Sequence, residues 1–195
     1  NEILDILKSK NIVLSLGNTM RSGCIHDEWD NAQSLELSEN IRLAHIAHQK
    51  GVSVIIEGAG GHIRADKIPE SIRHYKDKTK YPLFVAGPLP ADVGMGYDHI
   101  TGAIGATFAA GAGADYLCYI TRAEHKRLPT PDDVREGLMA FRIAAHIGDS
   151  IKYGLFEQDK HIAEKRAQMN FEEQAAFALD PEEAGRGIPM DTNCT

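Results

Sequence analysis

Glu57-Gly58-Ala59-Gly60-Gly61-His62 follows directly on the β-branched run Val52–Ile56. A carboxylate and an imidazole bracket glycines that permit close backbone approach to a ligand, so the segment could bind a polar substrate or a metal. Its spacing fits neither a dinucleotide fingerprint nor a phosphate loop, and a tight turn with a solvated histidine is the other reading. Glu124-His125 comes just past the apolar run Tyr116–Ile120. A neutral imidazole there could share a metal with His62, or be a surface group. Gly96-Tyr97-Asp98-His99-Ile100-Thr101 reads as a loop entering a helix, where Asp98 caps the end or free N–H groups take an anion. Arg21, two residues before Gly23, could clamp a phosphate through two parallel hydrogen bonds or form a surface ion pair. His146 and Asp149 read as a solvated helix face. Cys24 and Cys118 have no partner at redox or zinc spacing and read as structural.

These residues need a frame to bring them together, and the hydrophobic periodicity supplies one. Ile12–Leu16, Val52–Ile56, Leu83–Ala86 and Tyr116–Ile120 read as short buried strands. Between and after them, Glu36–Lys50, Ala65–Lys78, Asp98–Ala112 and a segment from Thr130-Pro131 to about Ser150 read as helices, the last with an N-cap and a proline at the first helical position. Gly102, Ala103, Gly105, Ala106, Ala109, Ala110 and Gly111 make the third of them slim, as close packing against a sheet requires. A polar helix is expected over about Glu157–Ala178. Four βα units in a row predict an α/β class with a parallel sheet, whose sites lie in the loops at the C-terminal strand ends. Asn18, Arg21, Glu57, His62, Asp98, His99, Glu124 and His125 all fall in such loops. Four units are half of an eight-unit (β/α)8 TIM-type barrel, so residues 1–155 are expected to be its second half and residues 156–195 a C-terminal helical segment. Asn1–Lys10 reads as the middle of a helix and Asp191–Thr195 stops just past a cysteine, so both ends read as cut.

Composition narrows the class further. The chain has 195 residues, 43% hydrophobic and 25% charged, with a formal net charge of −7, which argues against a nucleic-acid or anionic-membrane surface. The longest apolar stretch, Ala103–Ala114, is glycine-broken and falls short of the roughly 20 residues a bilayer requires. Three cysteines make a poor disulfide framework and no secretory signal opens the chain, which points to a reducing, cytoplasmic compartment.

In this order and spacing, the motifs resemble the phosphomethylpyrimidine synthase (ThiC) family. Ser15-Leu16-Gly17-Asn18-Thr19-Met20-Arg21 is similar to that family's SLGDG-[LM]-R, Glu57–His62 to EGPGHVP, Gly96–Ile104 to GYDHIT-x-AIG, Leu117-Cys118-Tyr119 with Glu124-His125 to LCYVTPxEH, and Arg142–His146 to KIAAH. The resemblance implies a barrel that binds aminoimidazole ribotide, an S-adenosylmethionine-cleaving 4Fe-4S cluster held by a C-terminal CxxCxxxxC, an auxiliary divalent metal (zinc or iron) on two histidines, and a homodimer. By the same resemblance Asn18, Thr19, Met20, Arg21, Glu57 and Phe84 stand at substrate-contacting positions, His125 and His62 at the metal, and Cys194 at the first cluster cysteine, the other two cysteines lying beyond this chain.

The departures from the family pattern carry their own expectation. Asn18 and Thr19 replace Asp and Gly, and Phe84 replaces a substrate-contacting Tyr. Counted without gaps, Gly61 occupies the metal-histidine position and His62 lies one residue late. Pocket changes on a retained scaffold favour the paralogous radical reaction that converts the ribotide to 5-hydroxybenzimidazole, the lower-ligand base of cobalamin-type cofactors. Synthesis of the hydroxymethylpyrimidine phosphate of thiamine is the alternative. A non-catalytic nucleotide- or metal-binding paralogue and a non-radical metal-dependent lyase are further ones.

Overall fold

The computed structural model describes residues 2–27 and 29–187. Strands β1 (Leu14–Leu16), β2 (Val54–Glu57), β3 (Leu83–Ala86) and β4 (Tyr116–Cys118) form one sheet in sequence order, every neighbour parallel. Helices α1 (Glu2–Ser9), α2 (Asn31–Gln49), α3 (Ile68–Thr79), α4 (Asp98–Ala112) and α5 (Pro131–Tyr153) alternate with them. The sequence therefore reads correctly as consecutive βα units.

Register sorts the strand residues onto two faces. Leu16 pairs with Ile56, Ile56 with Leu83, and Val85 with Leu117. The face that carries these residues lies against the helices. Val54 and Ile56 pack with Ala44 and Ala47 of α2, while Leu83 and Val85 pack with Ile68, Ile72 and Tyr75 of α3. Because side chains alternate along a strand, the opposite face carries Ser15, Ile55, Glu57, Phe84, Ala86, Tyr116 and Cys118. None of those seven is fully buried.

The slim helix α4 is explained by more than the sheet. A Cβ on Gly102 would lie 3.0 Å from the Phe141 ring of α5, and one on Gly105 would lie 2.0 Å from the Pro88 carbonyl oxygen in the loop after β3. Its small residues thus admit a neighbouring helix and a strand-end loop.

Several boundaries differ from the sequence expectation, for local reasons. Helix α2 starts five residues before Glu36, because the Asp30 carboxylate accepts the Gln33 N–H and caps it there. Helix α5 opens with a reciprocal capping box between Thr130 and Asp133 and runs on to Tyr153. The single polar helix expected over Glu157–Ala178 is two, α6 (Glu157–Ala167) and α7 (Phe171–Phe177), and a short α8 (Pro181–Gly185) follows beyond it. Met169 has φ of +55° and the Asn170 side chain accepts the Glu173 N–H, so one helix stops and another is capped within three residues. Among the described residues, no helix is long and apolar enough to cross a membrane.

Candidate functional site

The loops after the four strands meet at one end of the sheet, and backbone hydrogen bonds lock them together. After β2, the Gly61 N–H donates to the Ala86 carbonyl and the His62 N–H to the Ser22 carbonyl, while the Leu89 N–H donates back to Gly61. The Ser22 hydroxyl also donates to the His62 carbonyl. Gly61 makes this clamp possible. Its φ is +79°, and a Cβ there would stand 2.7 Å from the Ser22 carbonyl oxygen. The other motif glycines likewise make room for the protein's own groups. A Cβ on Gly58 would lie 2.0 Å from the Tyr75 ring, and one on Gly60 would lie 2.8 Å from the Ala86 carbonyl oxygen. Tyr75 is 1% exposed, and burial pushes its phenol up to about 12 despite a backbone hydrogen bond from Ala59. Close approach to a ligand is therefore not what Gly58 and Gly60 are for.

The clamp sets His62 beside His125, with ring centroids 5.1 Å apart. Counting residues leaves His62 one place late. Gly61, at positive φ, turns the chain so that the next imidazole faces His125. Each ring is held at Nδ1 by a carboxylate: His62 by Asp92 at 2.6 Å and His125 by Asp98 at 2.8 Å. A carboxylate only accepts, so each Nδ1 carries a proton and Nε2 is the nitrogen left for another partner. Burial pushes the Asp92 carboxyl up, but the Ile25 N–H, the His62 hydrogen bond and the charges of His62 and His125 outweigh it, leaving the group below its ordinary value. Asp98 does not cap α4 and no anion is needed to explain it; its carboxylate accepts the Gly96 N–H at 2.9 Å as well as the His125 proton. Next to it, His99 has a buried Nδ1 that finds no hydrogen-bond partner among the described residues.

Beside this pair lies the loop after β1. Glu36 of α2 organises it. Its carboxylate accepts the Asn18 side-chain amide at 2.9 Å, the Thr19 N–H at 2.7 Å and the Met20 N–H at 3.1 Å. Asn40 adds a bond to the Gly17 carbonyl. Asn18 is consequently 4% exposed and turned toward Glu36, whereas Thr19, Met20 and Arg21 are exposed. Arg21 donates through Nη1 to the Asn18 carbonyl at 2.8 Å, which leaves the rest of its fork for another partner. Glu36, Asp92 and Asn40 are functional-site residues that motif reading missed. A periodic helix glutamate gives no signal that it faces a loop, although Asp92 sits in a short polar turn where one could have been sought.

Glu57 and Phe84 are register partners on the less covered sheet face. The Glu57 Oε2 lies 3.7 Å from where a Gly17 Cβ would stand, which places the carboxylate at the mouth of the β1 loop. Cys118 shares that face. Burial and the negative charges of Glu57 and Glu124 push its thiol up against the opposing charge of Arg21, so these four residues form one electrostatic neighbourhood.

The structure does not bring every singled-out residue here. His146 bonds to Asp159 of α6 at 2.6 Å, far along the chain from Asp149, and Cys24 sits by Asp27 at 3.4 Å. Among the described residues Cys24 and Cys118 form no disulfide. Cys194 lies outside the described residues, so the described part holds no cysteine set for an iron–sulfur cluster. Among the described residues no group of three or more His, Cys, Asp and Glu side chains is placed to hold a metal ion. The His62–His125 pair nevertheless has the right chemistry for two positions of a metal site: paired imidazoles, each with Nδ1 bonded to a carboxylate and Nε2 left available.

Comparison with known proteins matches this chain to a family. The family model described as "Radical SAM ThiC family" covers residues 1–193. A phosphomethylpyrimidine synthase of Methanoculleus marisnigri is 44% identical over 99% of this chain and 47% of its own length. One from Desulforamulus reducens is 47% identical over 95% and 44%, and one from Archaeoglobus fulgidus 43% identical over 93% and 44%. The chain spans about half the length of the curated relatives it matches.

Proposed function

The chain belongs to the radical SAM ThiC family, and on that premise we propose that the protein acts as a phosphomethylpyrimidine synthase, a radical S-adenosylmethionine carbon–carbon lyase that rearranges 5-aminoimidazole ribotide to the hydroxymethylpyrimidine phosphate of thiamine biosynthesis. The observation that carries this is the convergence of Arg21, Glu57, His62 and His125 at one end of a parallel sheet. The names of the relatives favour the thiamine product over 5-hydroxybenzimidazole, which rests only on Asn18, Thr19 and Phe84.

In this reading β1–β4 are half of a (β/α)8 barrel, and the uncovered face with Glu57 and Phe84 looks into its lumen. Arg21 offers its unspent guanidinium donors to the ribotide phosphate, for which a planar fork is suited. Glu57, a carboxylate within the negative neighbourhood of Glu124, takes the substrate amino group. Phe84 supplies an apolar wall and Asn18, fixed by Glu36, holds the loop rather than the substrate. His62 and His125 hold the auxiliary metal, which when bound supplies a Lewis-acid contact for a substrate oxygen or nitrogen. The 4Fe-4S cluster and S-adenosylmethionine supply the radical, with thiolates as the expected cluster ligands and Cys194 the first of them. The barrel's part is to bind, orient and shield. We place the protein in the cytoplasm as a homodimer, with no nucleic-acid or membrane partner.

The test is anaerobic consumption of aminoimidazole ribotide by the intact, cluster-reconstituted protein and by its Arg21→Ala and Glu57→Gln variants. Arg21→Ala is expected to raise KM and Glu57→Gln to lower kcat/KM by about 100-fold, a charge-assisted contact being worth roughly 1.5–3 kcal/mol and more when desolvated. Both variants retaining wild-type kinetics would move the substrate elsewhere.

A further inference from the structure

We propose that Asp92 and Asp98 are positioning residues for the auxiliary metal, each fixing one imidazole of the His62–His125 pair with Nε2 as the ligating atom. The inference rests on the reading that this pair takes a metal, and adds to it the groups that orient the ligands.

The geometry separates this role from ordinary ion pairing. Both carboxylates, six residues apart, come from one stretch that runs from the loop after β3 to the first residue of α4, yet each reaches a histidine from a different strand end. One short stretch of chain therefore sets the attitude of both rings. Each carboxylate is itself anchored by a backbone donor through its second oxygen: Asp92 by the Ile25 N–H at 2.8 Å and Asp98 by the Gly96 N–H at 2.9 Å. The Asp98 side chain is 4% exposed. A buried carboxylate is costly unless its partners need it, and here its side-chain partner is His125 alone among the described residues. A helix cap would have turned the same carboxylate onto the N–H groups of α4 itself. Instead it points back to the loop and to an imidazole. Two rings 5.1 Å apart, both held at Nδ1, present the same tautomer. A carboxylate on the far nitrogen fixes ring orientation and raises the basicity of the ligating one.

The experiment measures metal binding without turnover. The intact, cluster-loaded protein is dialysed anaerobically against Co²⁺, and bound metal is counted by atomic absorption. The comparison set is Asp92→Ala, Asp98→Ala, Asp98→Asn, His62→Ala and His125→Ala. Each aspartate-to-alanine change is expected to weaken Co²⁺ binding by about 10- to 100-fold. Asp98→Asn keeps an acceptor oxygen for the Nδ1 proton, so it is expected to lose less than Asp98→Ala; a merely structural charge would not be restored by an amide. If Asp98→Ala does not fold, Asp98→Asn and the more exposed Asp92→Ala carry the test. Co²⁺ affinity within twofold of wild type in both aspartate positions, with the site lost in His62→Ala and His125→Ala, overturns the positioning role and leaves the metal pair standing. Undiminished Co²⁺ binding in both histidine variants overturns both.

Discussion

Glu36→Ala should disable the substrate loop without unfolding the protein. The Glu36 carboxylate holds three donors of that loop, at 2.7, 2.9 and 3.1 Å. Thr19 and Met20 are exposed, so their N–H groups turn to water when the carboxylate is removed and contribute little. Asn18 is 4% exposed, and its amide would be left without its partner. An unsatisfied buried donor costs about 1–3 kcal/mol, and the exposed loop bonds add little to it. If that free energy is taken from ordering the loop on substrate, ribotide affinity falls by about 5- to 140-fold, since about 1.4 kcal/mol is a factor of ten. Glu36→Gln keeps one acceptor and loses the charge, so its loss should be nearer fivefold, or about 1 kcal/mol. The assay is anaerobic calorimetric titration of the intact protein with aminoimidazole ribotide, alongside thermal midpoints. Ribotide affinity of Glu36→Ala within twofold of wild type would refute the account of the loop.

Gly58→Ala should destabilise the fold by about 1–3 kcal/mol, because its Cβ would fall within the buried Tyr75 ring; Gly23→Ala, where a Cβ meets nothing within 4 Å, is the matched control, and urea midpoints compare them. Asp115 should show in the pH dependence of stability. Burial raises its carboxyl, but Lys76, the Leu83 N–H and Lys152 together hold it below the ordinary value. A lowered folded-state value gives stability that is present above the ordinary carboxylate range and lost as pH falls through the folded value. Asp115→Asn should thus unfold at lower urea than wild type at pH 7, the gap closing in strong acid; a constant gap would contradict the linkage. Phe84→Tyr puts a hydroxyl on the less covered sheet face and, in the thiamine reading, leaves the product unchanged with the rate moved by less than about tenfold. A switch of product on that change would instead support the benzimidazole reading.

The alternation of apolar runs revealed the sheet and its order, because parallel strands buried against helices must be β-branched and continuous. Leu83–Ala86 and Asp98–Ala112 are found as read. The signals that failed were local ones: Asp30 before Asn31 is a helix start, and Asn170 a second one, and both are side chains whose capping only shows once the N–H they accept is known. At the site, the motif residues Arg21, Glu57 and His125 are legible by type. His62 is not legible by counting, since the positive φ of Gly61 changes where the next side chain lands. Glu36, Asp92 and the buried role of Asp98 belong to contacts 16 to 30 residues apart in sequence, which a single sequence has no period to reveal.

The most direct measurement is the product of turnover. The intact protein, reconstituted without oxygen, is incubated with aminoimidazole ribotide, S-adenosylmethionine and a reductant, and the products are identified by mass spectrometry. A phosphorylated hydroxymethylpyrimidine is the predicted product. A hydroxybenzimidazole, or no product while the cluster is intact, would contradict the account.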